Sequence, residues 1–251
     1  MKFCPTTASM IAAASAMAAA LTASGAAAGD YAAFQPIGFS SDGNVFAFEE
    51  YGIQDGSGFP YSTIYVLDTN TDRFLPGAPV RAVEEEDGAH LHRARRQANK
   101  RSAPLIDAYR LHDTPGVLAA YNPVTELDAA PRTLTYSSFP ADPSFRKIYS
   151  LKLEEKTFEP EGICKEFLKE VKGFRLTMNK QAGKPVAQVL EDDQRIPLSR
   201  RCPTGYRIGA VVTHVNTDGS EVHAVMILVE SLGFEGTADG RWIAVPVRIP
   251  G

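Results

Sequence analysis

The sequence predicts a mainly β protein, a β-propeller-like or β-sandwich-rich single domain with one or two surface helices. Three observations carry this. Residues 45–50 and 63–67 alternate in period two and are rich in aromatic and β-branched side chains. Five further runs of the same kind follow in the second half, at 174–178, 186–190, 208–215, 222–229 and 242–247. Asp42-Gly43, Asp218-Gly219 and Asp239-Gly240 supply turn signals of the hairpin type.

The amino end is a targeting segment. Lys2 is the only charge before Asp30, residues 10–21 are apolar and alanine-rich, and Ala26, Ala27 and Ala28 offer small residues for cleavage. That is the pattern of a secretory signal peptide, too short for a stable membrane span. Cleavage after Ala28 leaves Gly29 to Gly251 as one secreted β-rich domain. It removes one of 26 basic residues and none of the 30 acidic ones, for a net charge of about −5. No other apolar run approaches ~20 residues, so the mature chain is expected to be soluble, with no integral membrane segment. Its acidic balance argues against a nucleic-acid or anionic-membrane partner.

Residues 38–68, GFSSDGNVFAFEEYGIQDGSGFPYSTIYVLD, hold the densest polar cluster. Two strands flank GIQDGSGFP, whose three glycines and one proline cannot continue a strand. The loop gathers Glu49, Glu50, Tyr51, Gln54, Asp55, Ser57 and Tyr61. Carboxylates, an amide and hydroxyls on a rigid hairpin suit a ligand-facing surface, and Phe59 and Tyr61 offer stacking area for a sugar or peptide. The same composition also suits a self-bonded loop. Glu49 and Glu50 are adjacent in a strand and point to opposite faces, which makes them a poor catalytic pair.

DTNTD at 68–72 reads as a turn. Its acids resemble the start of a calcium loop, but Arg73 stands where that loop needs glycine, and no glutamate closes it at Pro79. Residues 84–101, EEEDGAHLHRARRQANKR, place acids first and bases last, as a helix dipole favours. This predicts a solvated surface helix ending at Ala103-Pro104. Residues 106–111 and 117–121 are short helix or strand. Strands are predicted at 132–137 and 147–153, and one or two helical turns at 164–171.

Two cysteines remain after cleavage, Cys164 and Cys202. In an oxidising compartment an even pair is most simply a disulfide. A metal or redox pair lacks both CxxC spacing and a neighbouring histidine.

Self-similarity narrows the architecture. SSDGNVFAFEE at 40–50 resembles TADGRWIAVPV at 237–247, and IYVLDTNTDRF at 64–74 resembles IYSLKLEEKTF at 148–158. Turn, apolar strand, turn and "IYxL" strand resemble one blade of a TolB or WD-repeat β-propeller. On a larger scale, FAFEEYGIQDGSGFPYSTIYVLD, RIPLSRRCPTGYRI (195–208) and GFEGTADGRWIAV (233–245) resemble a bacterial family of predicted secreted proteins of unknown function. That resemblance implies export, and it carries no reaction, cofactor or catalytic residue.

No catalytic motif appears. Gly56-Ser57-Gly58 lacks the spacing of a nucleophile elbow, and there is no HExxH. His214 and His223 flank the Asp218-Gly219 turn, where they can meet across a hairpin or stand as ordinary β-face histidines. The expectation is a periplasmic or secreted, non-catalytic binding or envelope-associated accessory module. It needs no cofactor or metal, and its partner is a protein, peptide or glycan. The alternative is a hydrolase whose site is assembled from distant loops.

Overall fold

The computed structural model describes residues 29–251, so the predicted signal peptide lies outside the described residues. Three antiparallel sheets are stacked. The first contains β1 (Ala33–Phe39), β2 (Val45–Ile53), β3 (Pro60–Asp68), the two-residue β4 (Arg73–Phe74) and β5 (Val80–Val83), in the order β1-β2-β3-β4 with β5 also on β3. Helix α1 (Leu91–Ala108) follows, then β6 (Val117–Tyr121). The outer sheet has the order β10-β9-β8-β7, from β7 (Thr133–Ser137), β8 (Ile148–Phe158), β9 (Val171–Gln181) and β10 (Lys184–Asp192), with the short α2 (Cys164–Phe167) between β8 and β9. The central sheet, β13-β12-β11-β6, is completed by β11 (Pro203–Val215), β12 (Glu221–Leu232) and β13 (Ala238–Ile249).

The central sheet is buried on both faces. Side chains of β12 alternate between two cores: Val225, Ile227 and Val229 meet Tyr149, Leu151, Phe174 and Leu176 of the outer sheet. Val222, Ala224, Met226 and Leu228 meet Phe39, Phe46, Phe48 and Leu67 of the first sheet. This explains why β12 reads as an unbroken apolar run, the signature of a strand covered on both sides. The mainly β expectation holds, and of its two architectures the stacked, sandwich-like one is present: the sheets share cores face to face and do not radiate as blades.

Helix α1 covers the free face of the first sheet. It starts at Leu91, after the acidic run, and passes through Pro104 instead of ending there. A proline inside a helix costs about 3 kcal/mol. Pro104 sits on the exposed side, while Ala94, Ala98, Ser102 and Ile106 form a buried stripe at every fourth residue. Ala98 and Ile106 pack with Ala47, Ile64, Val66 and Leu111. Burial of this far end holds the helix across the break. The apolar face is made of small residues, so the helix is less purely a solvated face than its charge pattern suggests.

β1 is not among the predicted strands, because Pro36 and Gly38 interrupt its pattern, and a register shift falls at that point. One further expectation changes. Asp239-Gly240 is not a turn but lies inside β13, and the chain reverses earlier, at Gly233–Thr237. Gly240 is needed for close approach: a Cβ there would lie 2.5 Å from the Tyr31 ring. The Asp42-Gly43 and Asp218-Gly219 turns form as expected.

Cys164 and Cys202 form a disulfide across 38 positions. It ties the α2 segment to the loop leading into β11. We expect reduction to lower stability by roughly 4 kcal/mol in the chain-entropy account. A melting curve with and without reductant checks this, and non-reducing peptide mapping should find one linked pair.

Candidate functional site

The β2–β3 hairpin divides into a buried base and an exposed tip. The period of two sends Glu49 and Glu50 to opposite faces, as expected. Glu49 turns toward α1. Its carboxylate accepts Nε of Arg95 at 2.9 Å and an Nη of Arg95 at 2.6 Å, and the Ser62 hydroxyl at 2.8 Å. Arg95 also donates to Gln35 at 2.6 Å and lies 3.8 Å over the Tyr51 ring. This bidentate pair, mostly out of water, anchors the helix to the sheet.

Glu50 turns inward. It accepts the backbone N–H of Trp242 at 2.6 Å and the Tyr65 hydroxyl at 3.4 Å. Burial pushes its carboxyl up from the ordinary value, against the opposing pull of the Trp242 N–H and of Arg241 and Arg81. Tyr61 is fully buried and donates to Asp30 at 2.9 Å. The Arg241 guanidinium pairs with the same carboxylate and stands 5.0 Å from the Tyr61 ring centre, with Arg81 at 5.2 Å. Burial pushes up both the Asp30 carboxyl and the Tyr61 hydroxyl.

The tip is different. Gln54 closes the loop through backbone bonds with Phe59 and Gly58, and its side chain accepts the Ser57 hydroxyl at 2.9 Å. Asp55 accepts the Gly56 N–H at 3.0 Å and Thr237 Oγ1 at 3.3 Å. Gly56 has φ +83, and a Cβ there would lie 3.0 Å from the Phe234 ring. The hairpin tip is thereby seated on the β12–β13 turn. Asp55 and Ser57 stay exposed, beside the exposed Ile53 and Phe234.

Of the seven loop residues singled out by sequence, the structure thus commits Glu49, Glu50 and Tyr61 to internal bonds, holds Tyr51 against Arg95, and leaves Gln54, Asp55 and Ser57 at the surface. Their partners Asp30, Arg95 and Arg241 carry no local signal, because each is distant in the chain.

A second polar constellation lies between the central and outer sheets. Glu221 and His223 on β12 are both buried. Glu221 accepts Lys147 Nζ at 2.8 Å, the Tyr149 hydroxyl at 2.9 Å and His223 Nε2 at 2.9 Å. A carboxylate only accepts, so Nε2 carries the proton and Nδ1 accepts the Tyr136 hydroxyl at 2.8 Å. Burial pushes Glu221 up, but the bonds from His223, Lys147 and Tyr149 outweigh it and hold the carboxyl at about 2. Burial pushes His223 below 6.5 despite Glu221. The period-two pairs Glu221/His223 and Lys147/Tyr149 were the available signal: each is polar on one face of an apolar strand. His214 does not join them. It stacks on Phe39 on the opposite face of the sheet.

A concavity of about 650 Å³ lies between the Ser40–Asn44 turn and the carboxyl end of α1. Its acids are already occupied. Asp42 accepts Ser40 and Asn44, Asp68 accepts the backbone of Asn70 and Thr71, and Asp113 pairs with Arg110. DTNTD is therefore a turn, as expected. Among the described residues no three His, Cys, Asp or Glu side chains gather as a metal site. No helix there is long and apolar enough to cross a membrane.

Residues 47–248 match the family model described as "Predicted secreted protein (DUF2259)". The chain belongs to this family of predicted secreted proteins of unknown function. No curated protein and no solved structure matches it.

The Glu221–His223 pair gives a pH prediction. Unfolding raises the affinity of His223 for protons, so folded stability falls as pH drops below 6.5. Glu221 adds a further loss as pH falls from 4.5 toward about 2. Chemical denaturation from pH 8 to 5 should show this decline, at up to about 1.4 kcal/mol per pH unit for one group. His223→Gln should flatten the slope between pH 7 and 5.

Proposed function

We propose that the chain is exported, cleaved near Ala28, and acts in the periplasm or outside the cell as a non-catalytic binding or envelope-associated accessory module. Its ligand-facing surface is the tip where the β2–β3 loop meets the β12–β13 turn. One observation supports this above the others: the division of the hairpin. The carboxylates and Tyr61 at its base are engaged with Arg95, Trp242 and Asp30, while Asp55 and Ser57 face solvent beside Ile53 and Phe234. A rigid base under a small mixed polar and apolar surface fits recognition of a peptide or glycan.

The hydrolase reading finds little support at this tip. The Ser57 hydroxyl donates to the Gln54 amide oxygen, which is no base. Asp55 bonds its own turn and Thr237.

Asp55→Ala and Phe234→Ala separate a binding tip from a merely structural one. Each should cost no more than about 1 kcal/mol of unfolding free energy, the worth of the bond Asp55 makes to Thr237 or of the Phe234 contact with Gly56. Both should abolish retention on panels of immobilised envelope peptides and cell-wall glycans. Loss of stability in step with loss of retention would defeat the reading. So would hydrolytic turnover that Asp55→Ala or Ser57→Ala removes. Amino-terminal sequencing of the exported protein should begin at or near Gly29, and an intact Met1 in the exported material would reject cleavage.

A further inference from the structure

We propose that the free edge of β6 is a docking site for an extended peptide that carries a carboxylate. This surface is separate from the hairpin tip and does not depend on its role.

β6 ends the central sheet and pairs only with β11. Its outward backbone groups have no strand partner, and the natural complement of such a row is another extended chain. Three other sheet edges are protected. Along β13, Gly240 is bonded to Asp30 and Ala32, the Trp242 N–H goes to Glu50, and Pro246 has no N–H to offer. β10 bears Lys184, Pro185, Glu191 and Asp192, and β1 bears Pro36. β6 is Val-Leu-Ala-Ala-Tyr, with neither charge nor proline. Leu118 is 49% exposed and Tyr121 56%.

A groove of about 300 Å³ runs beside this edge, between Val117 and Ala119 on one wall and Phe139, Pro140 and Ala141 on the other. Its lining mixes polar and apolar surface, and small Ala119 and Ala141 leave room for one side chain from a strand added to β6. The wall is held in place from within, since Thr213 of β11 donates to the Ser138 carbonyl. The one charge lining the groove is Arg146. Its Nε donates to the Ala141 carbonyl at 3.0 Å, which fixes the guanidinium at the groove. No ion pair among the described residues includes it. A planar guanidinium beside a narrow groove and an open strand edge selects an extended peptide with an acidic side chain or a free carboxyl end.

Fluorescence anisotropy with three labelled hexapeptides tests this on the exported protein. The probes are Thr-Val-Thr-Val-Thr-Glu, the same peptide ending in Lys, and the Glu peptide N-methylated at alternate residues. The Glu peptide should bind saturably. The N-methylated peptide should bind at least about tenfold more weakly, because it cannot donate to the edge. Arg146→Glu is an exposed change that should leave the melting curve in place, weaken the Glu peptide about tenfold and favour the Lys peptide. Equal binding of the methylated peptide, unchanged preference in Arg146→Glu, or no saturable binding of any probe would each overturn the proposal. So would a protein that sediments as a dimer dissociated by Leu118→Lys, since the edge would then serve a second copy of the chain.

Discussion

The double burial of the central sheet is the constraint on which the other layers depend. β12 has side chains in two cores at once, so neither flanking sheet can be removed without exposing half of them. Each Val, Ile or Leu in that strand contributes about 1.5–3 kcal/mol by leaving water. The first sheet then has a face left over, and the small-residue stripe of α1 lets the helix lie close enough to cover it. The order of layers, helix, first sheet, central sheet and outer sheet, follows from which faces remain apolar after each contact.

Backbone groups impose the next requirement. The β13 edge is closed by groups taken from elsewhere in the chain, and the Glu50 carboxylate is the costliest of them. A buried carboxylate is tolerated only where donors offset its desolvation. Here the Trp242 N–H offsets part of it, and Arg241 and Arg81 help from nearby. The neighbouring Asp30, Tyr61 and Arg241 close a second polar group at the same corner. A loop that looks rich in functional groups on paper is therefore largely the seam between two sheets. Only its last few residues are left to meet anything outside.

How much of this was legible follows from the range of each interaction. Period-two alternation is local, so β2, β3 and all the strands of the second half were readable, as was the divergence of Glu49 and Glu50. The cysteine pair was readable because export restricts what two thiols can become. β1 was hidden because Pro36 and Gly38 break its alternation, although a bulge absorbs them. Asp239-Gly240 had turn chemistry, but its aspartate receives the Asp30 N–H, 209 positions away, and its glycine accommodates Tyr31. The partners of the loop carboxylates were illegible for the same reason: Arg95 lies 46 positions from Glu49, and Trp242 lies 192 from Glu50. Nothing in local pattern joins residues so far apart.

The polar chain from half-exposed Lys147 through buried Glu221 and His223 to Tyr136 bears on how the central and outer sheets are aligned. Apolar faces alone leave two stacked sheets free to slide, since Val, Ile and Leu accept many neighbours. Glu221 does not. Shifting the outer sheet by two residues along β8 would replace Tyr149 beneath it with Leu151, and the carboxylate would be buried with fewer donors. Losing a partner of a buried charge costs several kcal/mol, far more than a slipped apolar contact. The chain thus specifies one alignment among several of similar apolar burial. Tyr136 lies at the end of this chain on β7, two residues before Ser138. Fixing Tyr136 against His223 therefore also fixes the loop that forms the far wall of the β6 groove, so the geometry at that edge is inherited from a polar contact in the interior.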